Sequence, residues 1–278
     1  GGAAWANDNK TFFFSRKDPV TLRSEKIYRH KLGQDSAEDK LVYFEEDETF
    51  NIGVGRTKSG RFLLIGSSST LSSEYWYLNA DQPDETFKLI QSRQNNLEYS
   101  VDHYKEYFYI RTNLNAENFK LMKSPITDPG IDNWTDVILH RDDILFEGFE
   151  LFSNYLVLEE RKEGLPVIRI LNQETGVEKE LPFEEEAYTA GVSTNRDFNT
   201  DLLRFSYSSL TTPASTYDYN MLTGEKILLK REEVIGGYDP NEFVTERRWA
   251  EAQDGTPIPL SIVYKKGIKL DGSHPTLL

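Results

Sequence analysis

The sequence predicts an all-β protein, a β-propeller of four-stranded antiparallel blades, on three observations. Aromatic residues make up 13% of the 278 residues, with 15 Tyr and 16 Phe against 2 Met, a composition that favours sheet over helix. Short β-branched and aromatic runs alternate with Gly, Asn, Asp and Pro turns along the chain, as strands joined by tight connections do. These runs also recur. Those opening at Thr11, Arg61, Tyr107, Tyr155 and Leu202 are spaced by 50, 46, 48 and 47 residues. A repeat of about 45 to 50 residues with about four strands per unit is the signature of a propeller. A plain β-sandwich would not need so even a period.

The first blade covers about residues 3–50, with strands at Thr11–Ser15, Glu25–His30 and Lys40–Phe44. The second, about 50–95, has strands at Asn51–Val54, Arg61–Gly66, Ser73–Leu78 and Thr86–Ile90. The third, about 96–142, has Tyr99–His103, Tyr107–Arg111, Phe119–Met122 and Thr135–Leu139. The fourth, about 143–186, reads as Tyr155–Leu158, Pro166–Leu171 and the more polar Glu178–Phe183. The fifth, about 187–234, has Thr189–Ser193, Leu202–Tyr207, Ser215–Tyr219 and Glu225–Leu229. The propeller portion is thus expected over 1–235. Residues 236–278 break the period. Phe243–Ala250 and Ile258–Tyr264 read as a hairpin turned at Asp254-Gly255-Thr256, and His274-Pro275-Thr276-Leu277-Leu278 opens another apolar run.

Composition narrows the partners. A net charge of -14 repels nucleic-acid phosphate and anionic lipid, so neither is an expected partner, whereas a basic peptide is compatible. With no cysteine, a disulfide framework, a thiolate metal site and a cysteine nucleophile are excluded, and a cytoplasmic setting is expected. No apolar run approaches the roughly 20 residues of a membrane-spanning helix. Gly1-Gly2-Ala3-Ala4-Trp5 has neither the basic nor the apolar region of a signal peptide. The chain starts without Met, so it is expected to be part of a longer one.

Searching for chemistry gives no catalytic, cofactor-binding or metal-binding residue. A nucleophile elbow needs Gly-x-Ser-x-Gly, because small flanks allow the sharp strand-to-helix turn. Gly66-Ser67-Ser68-Ser69-Thr70 lacks the second Gly and reads as a strand end. His30, His103, His140 and His274 are isolated from one another, so no metal site is expected. His140-Arg141-Asp142 imitates a kinase catalytic loop but has Glu147 where that loop carries Asn. Gly53-Val54-Gly55 lacks the third glycine and following helix of a nucleotide fingerprint. Asn9-Lys10-Thr11 and Asn133-Trp134-Thr135 fit glycosylation acceptors that are idle without a signal peptide. The acidic runs Glu45-Glu46-Asp47-Glu48 and Glu184-Glu185-Glu186 read as solvated blade edges, with steering of basic peptides as the sharper alternative.

The tail carries a resemblance. Gly236-Gly237-Tyr238-Asp239-Pro240, Glu246-Arg247-Arg248-Trp249-Ala250 and Asp254-Gly255-Thr256-Pro257 through Tyr264 resemble the propeller-to-hydrolase junction of the prolyl oligopeptidase family, and within it the oligopeptidase B (protease II) subfamily. Trp5 to Thr11, Arg16-Lys17-Asp18-Pro19, Tyr28-Arg29-His30-Lys31-Leu32-Gly33 and Phe44 to Phe50 resemble the same subfamily. The resemblance implies a serine peptidase in which a seven-bladed propeller restricts an α/β-hydrolase domain to short peptides, with cleavage after Arg or Lys. It implies that about five of seven blades are present. Residues 236–278 would be the junction and first hairpin of the hydrolase domain. The nucleophile, the later Asp and His, and the oxyanion tyrosine would lie outside the chain. The expected partners are then short basic peptides and the missing hydrolase domain, and the fragment alone is expected to be inactive. Two other readings stay open. One is a stand-alone binding propeller, against which the hairpin weighs. The other is a glycosidase propeller using paired carboxylates. Two open blade edges would favour self-association.

Overall fold

In a computed structural model, residues 2–277 are described, and they divide into two compact units, Gly1–Ser153 with Arg196–Asn199, and Asn154–Asn195 with Thr200–Leu278. Among the described residues there is no α-helix, only strands and three single-turn 3-10 segments.

The first unit holds three complete sheets. Strands β1 (Ala3–Trp5), β2 (Thr11–Lys17), β3 (Ser24–Lys31) and β4 (Lys40–Phe44) form the first, in chain order and antiparallel. β5 (Asn51–Arg56), β6 (Phe62–Ser68), β7 (Ser73–Asn79) and β8 (Lys88–Gln91) form the second. β9 (Tyr99–Tyr104), β10 (Tyr107–Thr112), β11 (Lys120–Pro125) and β12 (Thr135–Ile138) form the third, and β13 (Ile144–Leu151) follows. Successive side chains on a strand point to opposite faces, and β6 shows the result. Leu63 and Ile65 join Phe13, Ile27, Ile52 and Val54 in a core between the first and second sheets. Phe62 and Leu64, facing the other way, join Tyr99, Phe108, Ile110 and Trp134 in a core with the third. A strand buried on both faces reads as the continuous apolar run Phe62-Leu63-Leu64-Ile65. Truncating Ile65, which is fully buried, to Ala would cost about 2–5 kcal/mol.

The second unit opens with β14 (Tyr155–Lys162), β15 (Leu165–Asn172) and β16 (Glu178–Glu180). The fourth repeat, β13–β16, is therefore divided between the units. β17 (Tyr188–Val192), β18 (Leu202–Ser209), β19 (Ser215–Asn220) and β20 (Lys226–Arg231) make a complete four-stranded sheet, and among the described residues β21 (Phe243–Glu251) pairs only with β22 (Pro257–Lys265). The β14–β15 turn has two residues, Glu163 and Gly164, both at positive φ. That is the backbone a tight hairpin needs to match strand twist, and glycine reaches it without strain.

The connections repeat as faithfully as the strands. Asn172-Gln173-Glu174-Thr175-Gly176 and Asn220-Met221-Leu222-Thr223-Gly224 form the same turn between third and fourth strands. In each, the Asn Oδ1 accepts two backbone N–H groups and the Gly N–H closes on the Asn carbonyl. Four of the third-to-fourth strand pairs also carry a register shift, a bulge that increases twist.

Some sequence expectations are corrected. β1 and β13 are strands that the sequence reading did not place. β16 stops at Glu180 rather than Phe183: Leu181 N–H still reaches the Ile168 carbonyl, but Pro182 has no N–H to continue the ladder. Residues 274–277 form no strand, and Leu278 lies outside the described residues.

Candidate functional site

In the first unit, charge concentrates where the first strand of a repeat turns into the second. Lys58 sits in the β5–β6 turn. Its backbone N–H donates to Asp102 Oδ1 (2.9 Å), its ammonium pairs with Glu150, and it lies 3.5 Å from the centre of the Phe152 ring. Asp102 lies near the end of β9 and Glu150 near the end of β13, so equivalent points of three successive repeats supply the cluster. Burial pushes the Asp102 carboxyl up to about 6, against the pull of the Lys58 and His103 backbone N–H groups. Burial also lowers the Lys58 ammonium, opposed by Glu150, Asp102 and Asp197. One carboxylate, Glu150, thus pairs with the ammonium, while Asp102 and Asp197 act on it through space.

Beside it, Ser59 Oγ and His103 Nδ1 are 2.8 Å apart. This pair is not assembled as a catalytic dyad. Among the described residues His103 Nε2 is buried without a partner, the imidazole packs edge-on to Phe62 and Phe108, and no carboxylate orients it. Burial pushes it down to about 4.

The two acidic runs are not uniformly solvated edges, which corrects that expectation. Glu45 is buried. It accepts from Ser67 Oγ (2.7 Å) and the Asp47 backbone, and Arg93 Nη2 joins it (2.5 Å) to Glu74 (3.2 Å). Burial works to raise its carboxyl, but the hydrogen bonds from Arg93, Ser67 and Asp47 hold it below the usual range. In the second unit Glu185 accepts from the hydroxyls of Tyr207, Ser209, Thr211 and Thr212 at 2.6–2.9 Å. These bonds lower it in spite of burial. Both carboxylates reach a second-strand partner 22 residues ahead, Ser67 and Tyr207. Their neighbours Glu46, Glu48 and Glu184 are exposed.

The hairpin β21–β22 packs on the same network. Thr211 Oγ1, already bonded to Glu185, lies 3.3 Å from Thr245 Oγ1, and Tyr238 donates to the Thr211 carbonyl (2.6 Å). Arg247 N–H donates to Glu186, and its guanidinium reaches the Glu163 carbonyl.

The remaining motifs have structural placements. Ser67, within the Gly66–Thr70 stretch, is spent on Glu45. The His140-Arg141-Asp142 loop is tied by Asn118, whose backbone donates to His140 and whose amide donates to the Arg141 and Asp142 carbonyls. His30 pairs with Asp39, and His274 is in the exposed tail. Gly53-Val54-Gly55 lies in β5. The sequence reading did not identify Lys58, Asp102 or Glu150. Their separations of 44 and 92 residues from Lys58, one and two repeats, are the signal that would have grouped them. Among the described residues no cluster of His, Asp and Glu could hold a metal ion, and no helix is long and apolar enough to cross a membrane.

Comparison with known proteins agrees with the fold. Residues 1–232 match the family model described as the prolyl oligopeptidase N-terminal β-propeller domain. Dipeptidyl aminopeptidase BI of Pseudoxanthomonas mexicana is 42% identical over 98% of this chain and 38% of its own length. Protease 2 of Moraxella lacunata is 29% identical over 100% of this chain and 40% of its own. Oligopeptidase B of Trypanosoma brucei, solved in a closed form with covalently bound antipain, superposes with a TM-score of 0.87 at 31% identity, covering 96% of this chain and 39% of that one. The chain thus spans about two fifths of the length of the relatives it matches. Its repeated sheets are propeller blades, and the chain belongs to the prolyl oligopeptidase family through that N-terminal domain.

Proposed function

We propose that this chain is the gating propeller of a cytoplasmic serine oligopeptidase that cleaves short peptides after Arg or Lys, and that the reacting groups come from a hydrolase domain beginning at β21. The observation that carries this reading is the hairpin. The propeller match ends at residue 232, among the described residues β21–β22 pairs with no blade strand, and the relatives align over nearly the whole chain. The acid-rich cluster of Lys58, Asp102 and Glu150 supports a preference for basic peptides, and the cysteine-free composition supports the cytoplasmic setting. The propeller filters by size and charge; it does not turn over substrate.

The test is a peptidase assay of the pure 278-residue chain with a short Arg-containing substrate. No hydrolysis above buffer is expected, and genuine turnover would overturn the reading. In the complete enzyme, Glu46→Gln, Glu48→Gln and Glu184→Gln together should slow association with Arg peptides at low salt, since they remove long-range charge. An unchanged salt dependence removes the steering role.

A second reading follows from the 42%-identical relative, whose name describes release of dipeptides from N-termini. The complete enzyme would then require a free substrate amine. Comparing a free with an N-acetylated Arg-containing peptide separates the two: equal turnover supports the endopeptidase, and loss on acetylation supports the dipeptidyl activity.

A further inference from the structure

Pro182, which ends the β16 ladder, has a second effect on the residue after it. Phe183 leaves the sheet edge and lies against the fifth blade, where its ring stacks on Tyr207 (centroids 5.5 Å apart, planes at 13°) and meets Phe205 edge-on at 6.1 Å. Cross-strand pairing fixes which side chains share that face, because directly opposite residues of an antiparallel pair point the same way. Phe205 stands opposite Tyr217, and Tyr207 opposite Ser215. Ser215 in turn stands opposite Arg231, and Tyr219, two residues on from Tyr217, stands opposite Lys226. Phe205 and Tyr217 form a second stacked pair (5.3 Å, 15°). A cavity of about 210 Å³ lies over these rings, wholly within the second unit, with the buried Phe205 at its base and Glu184, Lys226 and Arg231 in its lining. An apolar cavity of about 150 Å³ holds benzene, so there is room here for one aromatic ring on a short chain.

Arg231 gives the cavity its chemistry. Its Nε donates to Ser215 Oγ (3.1 Å) and its Nη2 to the Tyr217 hydroxyl (2.9 Å), so the guanidinium is held on the same face as the rings. Both acceptors are neutral, and neither contact uses Nη1. Among the described residues no carboxylate pairs with Arg231, and none pairs with Lys226, whose ammonium lies 5.4 Å from the centre of the Tyr217 ring. Glu185 also lines the cavity but is committed elsewhere: Oε1 accepts from Ser209 and Thr211, and Oε2 from Tyr207 and Thr212. Glu184 is exposed at the rim. In a chain with 46 acidic and 32 basic residues, two cations without acid partners beside an aromatic cavity are an acceptor for an anion that carries a ring. Because the protein already holds the Arg231 guanidinium in place, binding costs it little ordering entropy.

We propose that this cavity binds a single-ring aromatic carboxylate, with the ring over Phe205 among Phe183, Tyr207 and Tyr217 and the carboxylate on Arg231. Aromatic pairs are worth more than their buried area alone, which sets such a ligand above an aliphatic acid of similar size. The guanidinium sets it above the uncharged amide. A free aromatic acid and a peptide ending in Phe or Tyr offer this same chemistry. The site takes nothing from the peptidase reading.

The experiment is calorimetric titration of the folded 278-residue chain with 3-phenylpropanoate, 3-phenylpropanamide and hexanoate. The aromatic acid should bind at least about tenfold more tightly than the amide, the difference expected for one charge-assisted contact, and several-fold more tightly than hexanoate. Arg231→Gln should bring the acid down to the level of the amide while leaving the thermal midpoint unchanged. Glu184→Gln, which removes a like charge from the rim, should tighten the acid and leave the amide as it was. Equal affinity for acid and amide, undiminished binding by Arg231→Gln, or no binding by the unmodified chain at millimolar ligand would each overturn the proposal. Acetyl-alanyl-phenylalanine separates the two sources within it: tighter binding than phenylpropanoate assigns the cavity to a peptide end, and weaker binding assigns it to the free acid. The readout needs no turnover, so a negative result leaves the gating reading standing, and hydrolysis by the fragment would leave the aromatic site standing.

Discussion

Asp102 and His103 are consecutive residues on one strand whose proton affinities burial drives in opposite directions, the carboxyl up to about 6 and the imidazole down to about 4. Asp102, with its folded value raised, contributes stability that is present below its unfolded value near 3.9 and lost as pH rises through about 6. His103, with its folded value depressed, contributes stability that is present above about 6.5 and lost as pH falls through about 4. The windows overlap and the slopes oppose, so the pair masks its own titration.

Asp102→Asn should unmask it. The Asn oxygen still accepts from Lys58 and His103, but the buried charge is gone. Relative to the unmodified chain, the variant's urea midpoint should be most favourable at pH 7, and the advantage should shrink on acidification through pH 6. A difference that does not change with pH between 7 and 4 would refute the assignment of the raised carboxyl to Asp102.

Arg93 should matter far more than an exposed ion pair. Its guanidinium joins Glu45 and Glu74 and stacks 3.9 Å from the centre of the Phe50 ring. Arg93→Met leaves two largely buried carboxylates without their cation, a loss of about 3 kcal/mol in chemical denaturation. Lys31→Met, which removes the exposed pair with Asp84, should leave the midpoint unchanged within error.

Thr211→Val removes a hydroxyl that donates to Glu185 and meets Thr245. It should cost about 1–2 kcal/mol and speed amide hydrogen exchange in β21 more than in β18. Uniform protection across both strands would mean that the hairpin is held by its other contacts alone.

Much of the fold was legible because a blade must bury faces at a fixed interval. Phe62-Leu63-Leu64-Ile65 and Tyr155-Leu156-Val157-Leu158 announce themselves as strands buried on two sides. β1 was not legible: it is three residues long, two of them alanines of little strand propensity, and it is held by pairing with Phe12 to Phe14. β13 was hidden by Gly148 and two glutamates in its midst. Charge was the least legible layer. Glu45 and Glu46 are the same residue type side by side, and only the reach of Arg93 and Ser67 makes one a buried anchor and the other a solvated side chain. The cluster at Lys58 was readable in principle, since its members recur with the repeat, but a period in charge is noticed only after the period in strands.

The reach of Glu45 and Glu185 to partners 22 residues further on has a consequence for biosynthesis. Each carboxylate sits on the segment entering a blade, and its hydroxyl partners lie on the second strand of that blade. As the chain leaves the ribosome, the clasp for a blade has been made before the strand it holds. Each of these two blades can therefore be fastened about two dozen residues after its clasp emerges, without waiting for the far end of the protein. Assembly in order of synthesis is the direction in which domains emerge and fold, and here the fastening is written into the connections themselves.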